Sequence, residues 1–541
     1  MRPVMIVGAG PVGLVTALLL ARWGVPSTVV EAAPERDFSG SRAICLQRDV
    51  LDVFDRVGCA VPMLAEGVTW SVGRTFYREH ELLTTRFPGS PSLPPWINLS
   101  QASTEHYLRT AVQASSLVDL RCEHRVVALA QDRDGVEVEV ATGGGRLRAS
   151  WVVAADGARG TVRRILGIGF PGHSFADQFL IADIRAELPF PQERRFYFDP
   201  EWNPGRQVLV HEQPDSVWRI DWQVPADFDL AAERASGALD ARIRRIVGQR
   251  PYEIVWLSVY RFHERVADQF QIGRVFLAGD AAHLFAPFGA RGLNSGVQDA
   301  ENLAWKLAAV HHDWVRGQDV ERLLASYSQE RRPAALENLR VTDATMRFLV
   351  PQDDAARTRR REVLEQAVHD VGARCLIDSG KLAEPYWYLE SALTTPPASS
   401  AHFPTAAGMP RPPVPGVLCP DAPCVVPERS DVTRLRQLFG TGFVVLAGRT
   451  HPSPPRIGIP VTSYALPAID PTGLVRQVLQ ATADSVHLVR PDGHLAAVLP
   501  CLDTATLTAA LRRSCGGDVE DRAVARGERQ HQAPGCQFGG G

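Results

Sequence analysis

The chain has 541 residues, 45% of them hydrophobic and 22% charged, values ordinary for a globular protein; at ~150 residues per domain this length predicts three to four domains. A formal charge of −3 excludes the basic footprint that nucleic acid or an anionic membrane surface selects, and a chain this long folds without help from disulfides or metals. The nine cysteines (45, 59, 122, 375, 419, 424, 501, 515 and 536) include no Cys-x-x-Cys pair and no zinc-ligand spacing, which predicts reduced thiols in a cytoplasmic protein without a metal site.

The first thirty residues read as a β-α-β unit. Val4-Met5-Ile6-Val7 is a short apolar strand, Val12 to Trp23 carries apolar residues at helical spacing, and Thr28-Val29-Val30 is a second strand. The apolar run Val12 to Ala21 after Arg2 has a superficial likeness to a secretory signal. Glycines 8, 10 and 13 fit the turn described below better, and no 18-residue apolar stretch occurs elsewhere. Helices are predicted near Asp49 to Val57 and over Ser103 to Ser115, paired strands over Arg125 to Val140, and a buried strand at Trp151 to Ala155 ending in Asp156-Gly157. Residues 175–260 hold short β-like runs at Val208 to Val210, Val217 to Trp222 and Ile254 to Leu257, as a separate, largely antiparallel sheet does. Val275 to Ala278 returns to the buried-strand pattern, Ser295 to His311 is a long helix, and residues 320–395 read as mostly helical. Pro, Ala and Ser crowd Thr394 to Pro415, a linker signature. Beyond it, Phe443 to Leu446 and His487 to Arg490 read as strands, with Pro491-Asp492-Gly493 a tight turn. From about Gly516 the chain is a polar tail expected to fray.

Gly8-Ala9-Gly10-Pro11-Val12-Gly13 is a Gly-x-Gly-x-x-Gly run placed after a strand and opening a helix. Gly8 permits the tight turn, Gly10 lets a pyrophosphate approach the backbone, and Gly13 lets helix and sheet pack closely. The helix N-terminus offers free N–H groups and the positive end of its dipole to phosphates. Glu31 ends the second strand, where a carboxylate accepts hydrogen bonds from a ribose. Together these predict a dinucleotide site.

Two further runs, Asp156-Gly157-Ala158-Arg159-Gly160 and Gly279-Asp280-Ala281-Ala282-His283, each follow a buried strand. With the glycine run they resemble the three-motif signature of the FAD-dependent aromatic hydroxylases, the p-hydroxybenzoate hydroxylase-like flavoprotein monooxygenases. The resemblance extends through Pro287-Phe288-Gly289-Ala290-Arg291-Gly292-Leu293-Asn294 and Asp299 to Lys306 and covers roughly residues 1–345. The run Tyr260 to Ala267 before Gly273-Arg274-Val275-Phe276 is most similar to the 3-(3-hydroxyphenyl)propionate hydroxylase and phenol hydroxylase branch.

The resemblance implies an α/β chain with a Rossmann-type FAD-binding domain (1–174 and 271–345) and an inserted antiparallel β-sheet substrate domain (175–270, with part of 70–100). A helical connector (346–400) leads to a C-terminal thioredoxin-like domain (401–541) with a flexible tail from about 516. Lacking paired cysteines, that domain is expected to serve packing or contact within a homodimer. By the resemblance, Gly8, Gly10, Val12, Gly13 and Glu31 hold the ADP half of FAD, Arg42, Gln101 and Val126 complete its surroundings, and Asp280 binds the ribityl hydroxyls. Asp156 and Gly157 serve both FAD and NAD(P)H, and Pro287, Gly289, Gly292, Leu293 and Asn294 line the flavin ring. His283 is expected to be structural. Where the family has Gly-Gln, this chain has Ala290-Arg291, and Arg291 has two expected destinations, a substrate carboxylate or solvent. The implied activity is hydroxylation of an electron-rich, phenolic aromatic with O2, using NADPH or NADH as co-substrate and passing through a flavin hydroperoxide. The alternatives are epoxidation or Baeyer–Villiger oxygenation of a polycyclic polyketide, and a flavin-binding protein without turnover. Composition and motifs leave the catalytic base unassigned among His211, Tyr260 and His263. The expected partners are a small aromatic substrate and O2, with no nucleic acid and no membrane.

Overall fold

The computed structural model describes residues 2–34, 43–87, 89, 93–141, 145–396, 401–404, 411–449, 455 and 457–517. Arg42 and the tail beyond Gly517 lie outside the described residues.

Val4–Val7 is buried at every position, as a strand covered on both faces must be. It lies within a six-stranded sheet in the order Gln271–Ile272, Val275–Leu277, Val152–Ala154, Val4–Val7, Ser27–Val30 and Val118–Arg121. All neighbours are parallel except the first pair. The helix Pro11–Arg22 starts with proline, whose missing N–H costs nothing in the first turn, and it packs on the helix Arg291–His311. A three-stranded antiparallel sheet (Val126–Asp132, Gly135–Val140, Gly145–Ala149) stands beside this core.

The second sheet has eight strands in the order His283–Leu284, Glu253–Val266, Gly172–Arg185, Val217–Val224, Gln207–Gln213, Arg194–Phe198, Val72–Tyr77 and His80–Arg86. It is antiparallel except where Arg194–Phe198 runs beside Val72–Tyr77. Strand alternation divides it into two faces. Val208, Val210, Ile220 and Trp222 turn outward onto Leu239, Ile243 and Val247 of the helix Ala238–Val247. Phe179, Ile181, Phe196, Leu209 and Phe262 turn inward and cluster with Phe288.

The helices Gln318–Leu349 and Asp354–His369 and a short turn Gly372–Leu376 follow. Helix stops there, earlier than the sequence pattern predicts. Residues 377–396 form neither helix nor strand, because Gly380 at φ +94° turns the chain and Ala383 N–H donates to Gly289 O (2.9 Å), outside any helical ladder.

The C-terminal unit holds a four-stranded sheet in the order Val461–Ala465, Phe443–Ala447, Val486–Val489 and Leu495–Leu499. Its first two strands in sequence are parallel, and the third runs against both of its neighbours. The closing helix Thr504–Ser514 is capped by the Asp503 carboxylate on Thr506 N–H. This unit is bound to the rest by ions: Arg434 and Arg436 reach Asp49, Asp52 and Asp55 on the helix Arg48–Arg56. Among the described residues no helix is long and apolar enough to cross a membrane.

Candidate active site

The glycine turn is shaped by contacts that admit no side chain. Gly8 sits at φ +106° and donates to Val30 O (2.8 Å), and a Cβ there would lie 2.4 Å from Ala155 O. A Cβ on Gly13 would lie 1.9 Å from Gly8 O, whereas one on Gly10 would meet no atom within 4 Å. The backbone at Gly10 is therefore open to approach, and no side chain caps the helix that begins there, leaving its first N–H groups to an anion. The Glu31 carboxylate braces the turn, accepting from Ala9 N–H (2.8 Å) and Ala33 N–H (2.9 Å). Val12 joins three segments. A Cβ at Gly279 would come within 2.9 Å of its Cγ2 and one at Gly296 within 2.5 Å, so both positions need glycine. Val126 is buried in the apolar core opposite Val140, which leaves only its backbone to face a ligand.

The other two motif turns stand at adjacent strand ends. Asp156 Oδ2 accepts from Val162 N–H (3.0 Å) and starts the short helix Thr161–Ile165, while its Oδ1 has no hydrogen-bond partner among the described residues. Burial pushes this carboxyl up. Gly157 is at φ +78° with open space beside it. Asp280 is exposed in the turn Gly279–Ala281. That turn is held from behind by Asp299, which is fully buried and accepts from Gly279 N–H (2.9 Å), His283 Nε2 (2.7 Å) and Arg331 Nε (2.6 Å). Burial works to raise Asp299, and His283 and Arg331 outweigh it, keeping the carboxyl below its usual range. His283 also stacks on Phe285 (4.7 Å between centroids), so its ring is spent on structure.

In the Pro287–Asn294 loop, Gly289 takes φ +90° and Ala290 φ +54°. The left-handed conformation costs an alanine ~1–2 kcal/mol, strain that glycine would not carry. Pro287 is exposed, Leu293 half-buried, and Gly292 has open space where a side chain would stand. Asn294 is a buried clasp: its Oδ1 accepts from Gln47 N–H (3.2 Å), and its Nδ2 donates to Cys45 O (3.0 Å) and Ala290 O (2.6 Å). Gln101 begins the helix Gln101–Ala114, with Oε1 accepting from Ala43 N–H (3.3 Å) and Nε2 donating to Glu105 (2.8 Å). Arg291 takes neither expected destination. It is 5% exposed and turns back to donate to Asn338 and to Lys381 O (2.9 Å), pinning the irregular 377–396 segment onto the loop. Burial lowers its guanidinium to about 10.

Above the loop lies the inner face of the large sheet, which carries a group of polar residues of which the sequence reading singled out His211 and not its neighbours. Arg219 grips Asp183 through Nε–Oδ1 and NH2–Oδ2, both 2.8 Å, and Gln213 Nε2 adds 2.9 Å. Beside them are His211, Asp221 and Arg194, with Cys45 and Gln47 from the short strand Cys45–Gln47. Both polar atoms of the Gln47 amide, His211 Nδ1 and Asp221 Oδ1 are shut from solvent without a hydrogen-bond partner among the described residues. Such a group costs ~1–3 kcal/mol when left unpaired. Several on one face mark a place built to receive polar atoms from elsewhere. The detectable signal was the alternation Arg219-Ile220-Asp221, which sets two charges on one face of a strand.

A family model described as FAD binding domain matches residues 1–342. A para-nitrophenol 4-monooxygenase of Pseudomonas sp. (strain WBC-3) is 31% identical over 395 residues, 70% of this chain and 95% of the relative. A 3-(3-hydroxy-phenyl)propionate/3-hydroxycinnamic acid hydroxylase of Mycobacterium sp. (strain JLS) is 28% identical over 521 residues, 90% of this chain and 88% of that one. Among solved structures, the flavin-dependent monooxygenase PieE in complex with FAD and substrate has the same fold, with a TM-score of 0.79 at 23% identity over 95% of this chain and 99% of that chain. Because the family match runs unbroken from the glycine turn through the helix that follows the Pro287–Asn294 loop, the chain belongs to the FAD-dependent monooxygenases.

Proposed function

We propose that the protein hydroxylates a phenolic aromatic, with NAD(P)H and O2 as co-substrates. One observation carries this reading: the cofactor loop meets a sheet face that is half aromatic and half polar. Phe288 of the loop lies 5.5 Å from Phe179, 6.1 Å from Phe196 and 6.0 Å from Phe262 between ring centroids. An aromatic ring suits the first half and its hydroxyl the second.

The donor set fits FAD. The open backbone at Gly10, the uncapped first turn of Pro11–Arg22 and the open space at Gly157 and Gly292 form a cradle that side chains would fill. Gly8, Gly10, Gly13 and Glu31 would hold the ADP half, Asp280 the ribityl chain and Pro287 to Asn294 the ring. FAD reduced by NAD(P)H supplies the activated oxygen in this family. The chain's own contribution is geometric and electrostatic. The helix Arg291–His311 starts without a side-chain cap and favours negative charge at its N-terminus. The packed phenylalanines exclude water, which would otherwise divert the oxygen to peroxide.

Division of the chain into an FAD-binding domain (1–174, 271–345), a substrate domain (175–270 with part of 70–100), a connector (346–400) and a thioredoxin-like domain (401–541) is part of the same proposal. The reversed third strand of the C-terminal sheet supports the last assignment. Burial pushes Cys419 up to about 12, Cys424 to about 11 and Cys515 to about 12, which supports a structural role for them.

The test is a screen of phenols and phenylpropionates under oxygen-18 gas, following NAD(P)H consumption, peroxide and product mass together. Substrate-stimulated NAD(P)H oxidation and a product heavier by one labelled oxygen are expected. A panel that never yields labelled product overturns the reading. Asp280→Ala is expected to weaken FAD retention by removing a charge-assisted hydrogen bond of ~1.5–3 kcal/mol, roughly 10- to 150-fold in Kd. Fluorescence titration of the apoprotein with FAD reads that change.

A further inference from the structure

We propose that Asp221 is the base that takes the proton of the substrate's ring hydroxyl, in a pocket where Gln47 and His211 bind the ring's polar atoms and Arg194 faces the resulting phenolate. The proposal rests on the hydroxylase reading above.

Register places the carboxyl. Asp221 pairs with Leu209 on one side and Ile181 on the other, and both belong to the inward cluster that packs on Phe288 of the cofactor loop. Asp221 therefore looks toward the loop and away from the helix Ala238–Val247. It is half-buried: Oδ1 is closed off without a partner, yet the residue keeps some exposure, as a group lining a site does. Gln47 enters the same region from the other side. Its backbone N–H is fixed by Asn294 at the start of the Arg291–His311 helix, and neither polar atom of its amide has a hydrogen-bond partner among the described residues. His211 is one same-face step from Asp221, opposite Arg219, and its Nδ1 has no hydrogen-bond partner among the described residues.

Charge then separates the roles. The titratable and charged groups around Asp221 are Arg219 on its own strand, Asp183 on Gly172–Arg185, His211 on Gln207–Gln213, Arg194 on Arg194–Phe198, Tyr260 on Glu253–Val266 and Cys45 on its short strand. Arg219 is gripped by Asp183 through Nε and NH2, so its charge is shared and offsets the burial of Asp221 only in part. Burial, with Asp183 adding to it against Arg219, raises Asp221 to about 7, where a carboxylate is both available and basic enough for proton transfer. His211 is held far below its usual range by burial and by Arg194 and Arg219, so it stays neutral and acts as a hydrogen-bonding group. Arg194 is buried, donates to Ser379 O (2.6 Å) and, with Asp378 acting on it only at a distance, makes no ion pair among the described residues. Its charge is free to stabilise an anion. In the step itself the substrate O–H bond breaks, the electron pair stays on the ring oxygen, and the proton binds Asp221; nothing is oxidised or reduced. The ring enters oxygen transfer as the more electron-rich phenolate.

The test compares wild type, Asp221→Asn and Asp221→Glu as FAD-loaded holoenzymes, with 3-(3-hydroxyphenyl)propionate and 3-hydroxycinnamic acid as probes, phenols that stay protonated across the pH range used. Binding is read from perturbation of the flavin visible spectrum and hydroxylation from product mass between pH 6 and 9. Asp221→Asn is expected to keep its FAD, to bind the probes within about threefold, and to lose roughly 100-fold or more in kcat. The rise of wild-type kcat through pH 7 should vanish in Asp221→Asn and return, shifted, in Asp221→Glu. Thermal stability gives the control. A carboxyl raised in the folded state costs stability as pH climbs from its unfolded value through about 7, so Asp221→Asn should melt no lower than wild type at pH 9. Wild-type kcat and pH profile in Asp221→Asn, or an activity loss that follows lost FAD or lowered melting, overturns the role of Asp221. A wild type that labels no phenol overturns the hydroxylase reading instead, and the base role with it.

Discussion

Arg490→Met is expected to destabilise the protein by ~3–5 kcal/mol, the cost of leaving a buried ion without its partner. Arg490 has no solvent exposure and donates to both oxygens of Glu330 (2.5 and 2.9 Å) and to Asp492 (3.1 and 2.5 Å). Glu330 also receives Lys306 Nζ (2.7 Å) and Asn302 Nδ2 (2.6 Å). Burial works to raise the Glu330 carboxyl, and Arg490 and Lys306 together hold it far below its usual range. With methionine in place, Glu330 keeps Lys306 as its cation, and Asp492 keeps Trp305 Nε1 (3.2 Å) and His494. Urea unfolding of wild type, Arg490→Met and the pair Arg490→Met/Glu330→Gln measures the effect. The double variant should recover part of the loss because the stranded carboxylate is gone. An Arg490→Met protein as stable as wild type would show that the cluster is not worth its desolvation.

The second large effect separates two glycines that lie three residues apart. Gly13→Ala places a methyl 1.9 Å from Gly8 O, backbone against backbone, so helix and turn must part; insoluble or colourless protein is expected. Gly10→Ala meets nothing in the chain and should leave folding intact, while its methyl enters the space through which a pyrophosphate approaches. An overpacked contact of ~1–3 kcal/mol corresponds to roughly 5- to 150-fold weaker FAD binding. Melting temperature without FAD and FAD affinity, measured on both variants, should respond in opposite patterns. Equal loss of fold in the two would remove the argument that Gly10 is open for a ligand.

The cofactor half was legible because its constraints are local. A glycine at positive φ, a strand end and a helix start announce themselves within six residues, and the family signature is made of such turns. The roof was legible as a sheet but not as a site. In Val217-Trp218-Arg219-Ile220-Asp221-Trp222 the alternation marks a strand, and in the fold its apolar side packs on a helix while its charged side turns inward. Alternation tells which residues share a face and is silent on what that face meets. Arg291 shows the same limit, since its partners Asn338 and Lys381 lie 47 and 90 residues away. The helix expected through residue 395 gave way where Gly289 O captured Ala383 N–H.

The buried ion cluster also bears on the order in which the enzyme is completed during synthesis. Glu330 is bonded to Arg490, and its neighbour Arg331 holds Asp299, which holds the Gly279 turn. The backing of a cofactor turn is thus assembled from residues 279, 299, 331 and 490. The nascent chain emerges from its N-terminus, so the FAD fingerprint at residues 8–13 is made first while the last brace arrives some 480 residues later. Firm retention of the cofactor is then a property of the finished polypeptide, and a truncated chain lacking the C-terminal sheet carries a cofactor turn whose support is incomplete.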